Sequence, residues 1–215
     1  MIRFDGVSKS FPARAGRRVI LNDLTLTLPA GARTAVLGRN GAGKSTFLAM
    51  ASGSLPPDRG YVARAGRVSW PMGFAGSFAA DMTGAQNTRF LARVYGADPA
   101  HLIRDVQSFA DLGRFIDMPL RTYSNGMRAR LAFGLSLGLR FDWYLVDEIT
   151  AVGDAEFRQK ALSAFRERLS GAGLLMVSHS PATLRDYCTS AILLGEGSVR
   201  VFDRLDDGLA ALGPA

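Results

Sequence analysis

The sequence predicts an α/β fold: a core of strands and helices with N-terminal β elements and an inserted α-helical subdomain. Three observations predict it. Short apolar runs at 34–37, 143–146, 174–177 and 191–194 are bounded by turn residues and read as buried strands. A glycine-rich segment, residues 38–43, leads from the first of these runs straight into a helical stretch. Residues 83–139 then read as helical throughout, before strands and helices alternate again.

Taken in order, residues 1–7 and 19–28 read as strands, the second alternating Leu24, Leu26 and Leu28 on one face. Residues 12–18 between them read as turn-rich, and Pro29-Ala30-Gly31 ends the second strand. The run 34–37 passes through the glycine-rich segment into a helix over 44–51, which Gly53 closes. In the insert, Phe90, Leu91, Val94 and Tyr95 are spaced for one helical face. Ile103, Val106, Phe109 and Ala110 continue the pattern in a second helix. Residues 127–139 are apolar on most faces, which predicts a buried helix. Phe157, Ala161, Phe165 and Leu169 recur every four residues in a helix over 154–169. The expected organisation is one domain, with 1–82 and 140–215 as the α/β core and 83–139 as the helical insert.

The 215 residues include 26 Lys plus Arg against 19 Asp plus Glu, a net charge of +7. Only Lys9, Lys44 and Lys160 are lysines. Basic residues never exceed two in a row and are not interleaved with aromatics, so no nucleic-acid partner is expected. No apolar run reaches the roughly 18 to 20 residues that cross a bilayer, and residues 1–5 lack a signal-peptide layout. The single cysteine, Cys188, excludes an internal disulfide and a cysteine-built metal site. The expected compartment is therefore cytosolic.

Gly38-Arg39-Asn40-Gly41-Ala42-Gly43-Lys44-Ser45 fits the phosphate-loop pattern of glycine, four residues, glycine, lysine, serine. Glycines let successive backbone N–H groups converge on phosphate oxygens, and the following helix aims its positive end at them. Lys44 would reach the β- and γ-phosphates, with Ser45 on Mg²⁺ and Thr46 beside it. Asp147, ending an apolar run, is the second Mg²⁺ candidate. Glu148 would be the general base or the residue that orients water at the γ-phosphate. The expected ligands are ATP and Mg²⁺.

Between those motifs lies Tyr123-Ser124-Asn125-Gly126-Met127, directly before a helix. That order resembles the ABC ATPases, as do Thr150-Ala151-Val152-Gly153-Asp154, Val177-Ser178-His179 and the N-terminal aromatic Phe11. The resemblance covers essentially the whole chain. It implies a P-loop NTPase core of RecA-like type, with an N-terminal antiparallel β subdomain and an α-helical insert. It also implies an ATP-dependent homodimer in which each nucleotide is sandwiched between two chains. Ser124, Asn125 and Gly126 would then grip the γ-phosphate in trans, and Asp154 would cross the interface. His179 would contact the γ-phosphate and Glu148, and Phe11 would stack on adenine.

The sequence departs from the family pattern at Asn125, where glycine is usual, and at Met127, where glutamine is common. The loop joining core and insert, residues 69–82, contains none of the chain's glutamines, Gln86, Gln107 and Gln159. Ser69-Trp70-Pro71, the 123–127 segment, residues 130–136 and residues 147–154 look like the ATP-binding subunits of capsular polysaccharide exporters. Close relatives of that group export O-antigen or teichoic acid chains. The O-antigen type often adds a C-terminal carbohydrate-binding domain, and a chain ending at Ala215 leaves no room for one. The resemblance implies a separate transmembrane permease docking near Trp70 to Met82, an apolar segment with Asp81 its only charge. It places the chain at the cytoplasmic face of the bacterial inner membrane. Three other readings remain open at this point: the ATPase of an O-antigen or teichoic acid exporter, a soluble ABC ATPase outside transport, and a nucleotide-dependent clamp that does not hydrolyse.

Overall fold

The structure, a computed structural model, describes residues 1–13, 16–72, 78–148, 155–195 and 197–213. Two compact units account for the chain: Met1–Pro71 with Phe141–Glu148 and Gly171–Ala215, and Met72–Arg140 with Ile149–Ser170.

The first unit is built on two sheets. In the antiparallel sheet, β1 (Ile2–Ala13) lies between β2 (Gly16–Leu28) and β4 (Arg59–Arg64). The six-stranded sheet has the order β5-β6-β7-β3-β8-β9, from β5 (Val68–Met72) through β6 (Trp143–Asp147), β7 (Gly173–Val177), β3 (Arg33–Leu37) and β8 (Ser190–Gly195) to β9 (Ser198–Phe202). Strands β6, β7, β3 and β8 pair in parallel, and β9 runs antiparallel to β8 at the edge. The parallel strands are continuous apolar runs because both of their faces are covered.

Helix α1 (Lys44–Ser52) packs its Phe47, Leu48 and Met50 into one core with Ile2, Phe4, Trp143 and Ile192. Phe4 and Phe47 stack with centroids 4.8 Å apart and planes inclined by 13°, which joins β1 to α1. Gly173 faces Trp143 across the β6–β7 ladder, and a Cβ there would stand 2.6 Å from the indole ring. Ser69 is fully buried; its Oγ accepts from Leu145 N (2.9 Å) and donates to the Trp70 carbonyl (2.8 Å), stitching β5 to β6.

Several expectations change here. Residues 12–18, expected as turn, are mostly strand, with Phe11 paired to Arg18, Pro12 to Arg17 and Ala13 to Gly16. The hairpin ladder supplies the hydrogen bonds that a turn would have left to water. Residues 69–72, read as the start of a loop, belong to β5, whose edge position tolerates Pro71. Met72 is 2% exposed, so it belongs to the interior and not to an open apolar loop. Strands β4, β5 and β9 and helices α6 (Pro181–Tyr187) and α7 (Leu205–Leu212) were not foreseen. Strand β4 reads Arg-Gly-Tyr-Val-Ala-Arg with every residue exposed or half-buried, which leaves no apolar alternation to detect.

The second unit packs α2 (Gly84–Val94) on α3 (Pro99–Ala110), α3 on α4 (Asn125–Gly138), and α4 on α5 (Ala155–Arg168). Phe109 meets Phe133 at 6.2 Å and Phe157 at 5.4 Å, and Phe133 meets Phe165 at 6.2 Å. The expected stripe Phe157, Ala161, Phe165 and Leu169 is buried. In α2 the expected face is not the buried one: Phe90 and Val94 are each 59% exposed, while Ala85, Thr88 and Ala92 face inward. Its phase is set at the N-terminus. Thr83 and Gln86 form a capping box, and buried Asn87 donates to the carbonyls of Ala79 (3.1 Å) and Thr83 (3.0 Å) and accepts from Ala79 N (3.0 Å). Among the described residues no helix is long and apolar enough to cross a membrane.

Candidate functional site

The glycine-rich segment leaves β3 at Leu37 and enters α1 at Lys44. Its backbone requires glycine at two close approaches. A Cβ on Gly38, at φ 148°, would lie 2.8 Å from the Leu194 carbonyl oxygen. On Gly43, at φ 102°, it would lie 2.3 Å from Ile20 Cγ2. Gly43 is also the N-cap of α1, with no side-chain cap on the first turn, so the positive end of the helix opens on the segment. Lys44 Nζ donates to the carbonyls of Gly38 (2.8 Å) and Arg39 (3.2 Å), which sets the ammonium over the loop. The Arg18 guanidinium donates to the Gly41 carbonyl.

An open cleft of ≈ 710 Å³ forms around this loop, lined by Phe11, Asn40, Gly41, Gly43, Lys44, Ser45 and Thr46 together with Asp147, Glu148 and His179. Residues far apart in sequence, expected at one site, therefore line a single cleft. Asp147 ends β6 opposite Val177 of β7, and Glu148 N donates to the Val177 carbonyl at 3.0 Å. Glu148 adopts φ 62°, a left-handed conformation unusual for a side chain of its size, held by that hydrogen bond. His179 is exposed in the turn between β7 and α6, whose start is capped by Ser180 Oγ accepting from Thr183 N at 3.2 Å. Ser45 and Asp147 offer only oxygen, a donor set that suits a hard cation sharing its shell with phosphates and water.

Sequence reasoning missed Arg18 and Ile20, both of which line the cleft. No motif marks either residue; Arg18 is brought to the site by pairing with Phe11 across the β1–β2 ladder. A larger neighbouring cleft of ≈ 950 Å³ shares Arg18, Asn40 and Gly41 and adds Arg39 and Arg200; among the described residues no carboxylate lines it.

The segment expected to act in trans belongs to the second unit. Ser124 is the N-cap of α4, its Oγ accepting from Met127 N at 3.2 Å. Asn125 and Gly126 occupy the first helical positions, and a Cβ on Gly126 would meet nothing closer than Ser124 Oγ at 3.8 Å. The preceding Tyr123 is buried, donates from its hydroxyl to the Phe115 carbonyl, and has its phenol pushed up to about 12, chiefly by that burial. Asp154 lies outside the described residues, as do residues 73–77 of the expected docking segment.

A family model described as ABC transporter matches residues 21–151. The polysialic acid transport ATP-binding protein KpsT of Escherichia coli is 45% identical over 195 residues, covering 90% of this chain and 87% of that protein. The chain belongs to the ABC transporter family. Within that family it is also similar to the capsule polysaccharide export ATP-binding protein CtrD of Neisseria meningitidis serogroup B, at 39% identity over 96% of this chain and 95% of CtrD. Among solved structures, the ATP-binding subunit of an ABC transporter superposes with a TM-score of 0.81 at 24% identity, over 100% of this chain and 95% of that one. That likeness is one of fold, and it matches the P-loop NTPase class expected for an ABC transporter nucleotide domain.

Proposed function

We propose that the chain is the ATP-hydrolysing subunit of an ABC exporter that moves capsular polysaccharide through a separate transmembrane subunit. The observation that carries the catalytic half is the single cleft lined by Lys44, Ser45, Asp147, Glu148 and His179. The exported cargo is supported by the likeness to KpsT and CtrD over nearly the full chain.

In this reading the converging N–H groups of Gly38 to Gly43 and the start of α1 bind phosphate oxygens, and Lys44 moves from loop carbonyls to the β- and γ-phosphates. Ser45 and Asp147 hold Mg²⁺, which when bound draws negative charge from the phosphate oxygens. Glu148 orients the attacking water and accepts its proton at a carboxylate oxygen. His179 contacts the γ-phosphate beside Glu148, and Phe11 stacks on the adenine. Ser124, Asn125 and Gly126, at the start of a capped helix, serve the nucleotide held by a second copy, with Asp154 at that interface. The chain sits at the cytoplasmic face of the inner membrane, held there by the permease.

The permease docks on the segment around Trp70 to Met82. Its described apolar members include half-buried Trp70 and Phe78 and the more exposed Met82, at 36%. In cells whose sole copy is Lys44→Ala, surface capsule should disappear and lipid-linked polysaccharide accumulate inside. Met82→Asp should give the same phenotype while the purified chain still binds ATP. Normal capsule in cells carrying Lys44→Ala, at normal protein abundance, would overturn the function; normal capsule with Met82→Asp would overturn the docking site.

A further inference from the structure

Arg18 belongs to none of the motifs above, yet it touches two parts of the cleft at once. Within the β1–β2 hairpin it is the register partner of Phe11. Its guanidinium reaches out of the hairpin to donate to the carbonyl of Gly41 in the phosphate loop, and it lines the same cleft as Phe11 and Lys44. Its neighbour Arg17 faces the other way, as alternation along a strand requires. Arg17 donates to Ser10 Oγ (Nε 3.0 Å, Nη2 2.7 Å) and pairs with Asp58 at 3.5 Å, while Lys9 pairs with the same carboxylate at 2.8 Å. The closed end of the hairpin is thus anchored through Arg17 and Lys9 to Asp58, while Arg18 reaches to the Gly41 carbonyl.

A loop that binds anions must keep its carbonyl oxygens turned aside, because each carries partial negative charge. Lys44 takes up two of them, at Gly38 and Arg39, before it turns to phosphate, and Arg18 takes up a third at Gly41. Gly41 adopts φ 81°, a conformation its peptide can leave easily without an external tie. A cation fixed to that oxygen holds the peptide plane and cancels part of its repulsion toward phosphate.

We infer that Arg18 is a positioning residue that fixes the Gly41 peptide for phosphate binding and couples it to the seating of a base against Phe11. This rests on the nucleotide reading above. The two readings can be separated with the purified full-length chain and two probes, MgATP and Mg-tripolyphosphate, the second having no base. Arg18→Ala should weaken both by roughly tenfold, the size expected for one charged hydrogen bond. Arg18→Lys, which keeps a cationic donor, should recover most of the loss, and Arg17→Ala should match the unmutated chain. Phe11→Ala should cost ATP affinity less in the Arg18→Ala background than alone. A loss confined to ATP would reduce Arg18 to shaping the hairpin and overturn the inference, as would no loss with either probe. Strict multiplication of the Phe11 and Arg18 effects would overturn the coupling. Failure of the unmutated chain to bind either probe would overturn the nucleotide reading with it.

Discussion

Arg64 is bonded to Ala51: its Nε donates to that carbonyl oxygen at 2.7 Å, across from strand to helix. A second nitrogen donates to the Met50 carbonyl and a third to Val62 at 2.9 Å. Helix α1 has no basic residue in its own last turn, so β4 supplies the cation that its negative end favours. Arg64→Ala should therefore lower stability by about 1–3 kcal/mol through unpaired carbonyls at the helix end. Thermal unfolding should show a drop of a few degrees, with Arg64→Lys in between. An unchanged midpoint would remove Arg64 from the account of how α1 is held.

Glu148→Gln should keep ATP binding and reduce turnover by on the order of 10²-fold or more, because the amide is a poor proton acceptor. Binding and single-turnover hydrolysis, measured on the chain assembled with its permease, separate the two effects. Equal turnover in variant and unmutated protein would reject Glu148 as the base.

Lys44→Ala and Ser124→Arg test assembly when mixed. If Ser124 serves the opposite chain's nucleotide, a mixed dimer has one site with both defects and one with neither. Activity recovered in the mixture supports service in trans. Activity that only sums that of the two defective parents counts against it.

Cys188 offers a test by pH. Burial pushes its thiol up to about 12, with Arg33 acting weakly in the opposite direction. The unfolded chain ionises first, near the ordinary value of 9.0. The stability contributed by the neutral buried thiol is therefore fully present below that value and is lost as pH rises toward 12. Urea midpoints of the unmutated chain should fall more steeply above about pH 9 than those of Cys188→Ala. Parallel curves would show that the thiol is not held in that environment.

Much of the candidate site was legible because the pattern that marks it is local. The phosphate loop needs glycines at fixed spacing, and Asp147 and Glu148 directly follow an apolar run. Burial on α4 and α5 was readable for a similar reason, since Phe157 and Phe165 repeat at helical spacing. The rest depended on long-range terms. Phe90 and Val94 have the right spacing to face a core, but the capping box at Thr83 and the hydrogen bonds of Asn87 rotate α2 so that small residues go inward. Hairpin residues 12–18 carry turn-forming types, yet pairing across the ladder made most of them strand. Arg18 was invisible as a site residue because its role lies in a contact 23 positions away.

Gly173 against Trp143 has a consequence for variation among homologues. The indole occupies the space that any side chain at 173 would need, so the two positions cannot drift independently. A single change at Gly173 to alanine must push the ring or separate β6 from β7 by several tenths of an ångström. A line of descent that enlarges residue 173 is expected to shrink residue 143 in the same sequence, and large pairs should be missing. The strand that delivers Asp147 and Glu148 to the cleft would thereby leave a covarying signature at Trp143, four residues upstream of Asp147 and five upstream of Glu148.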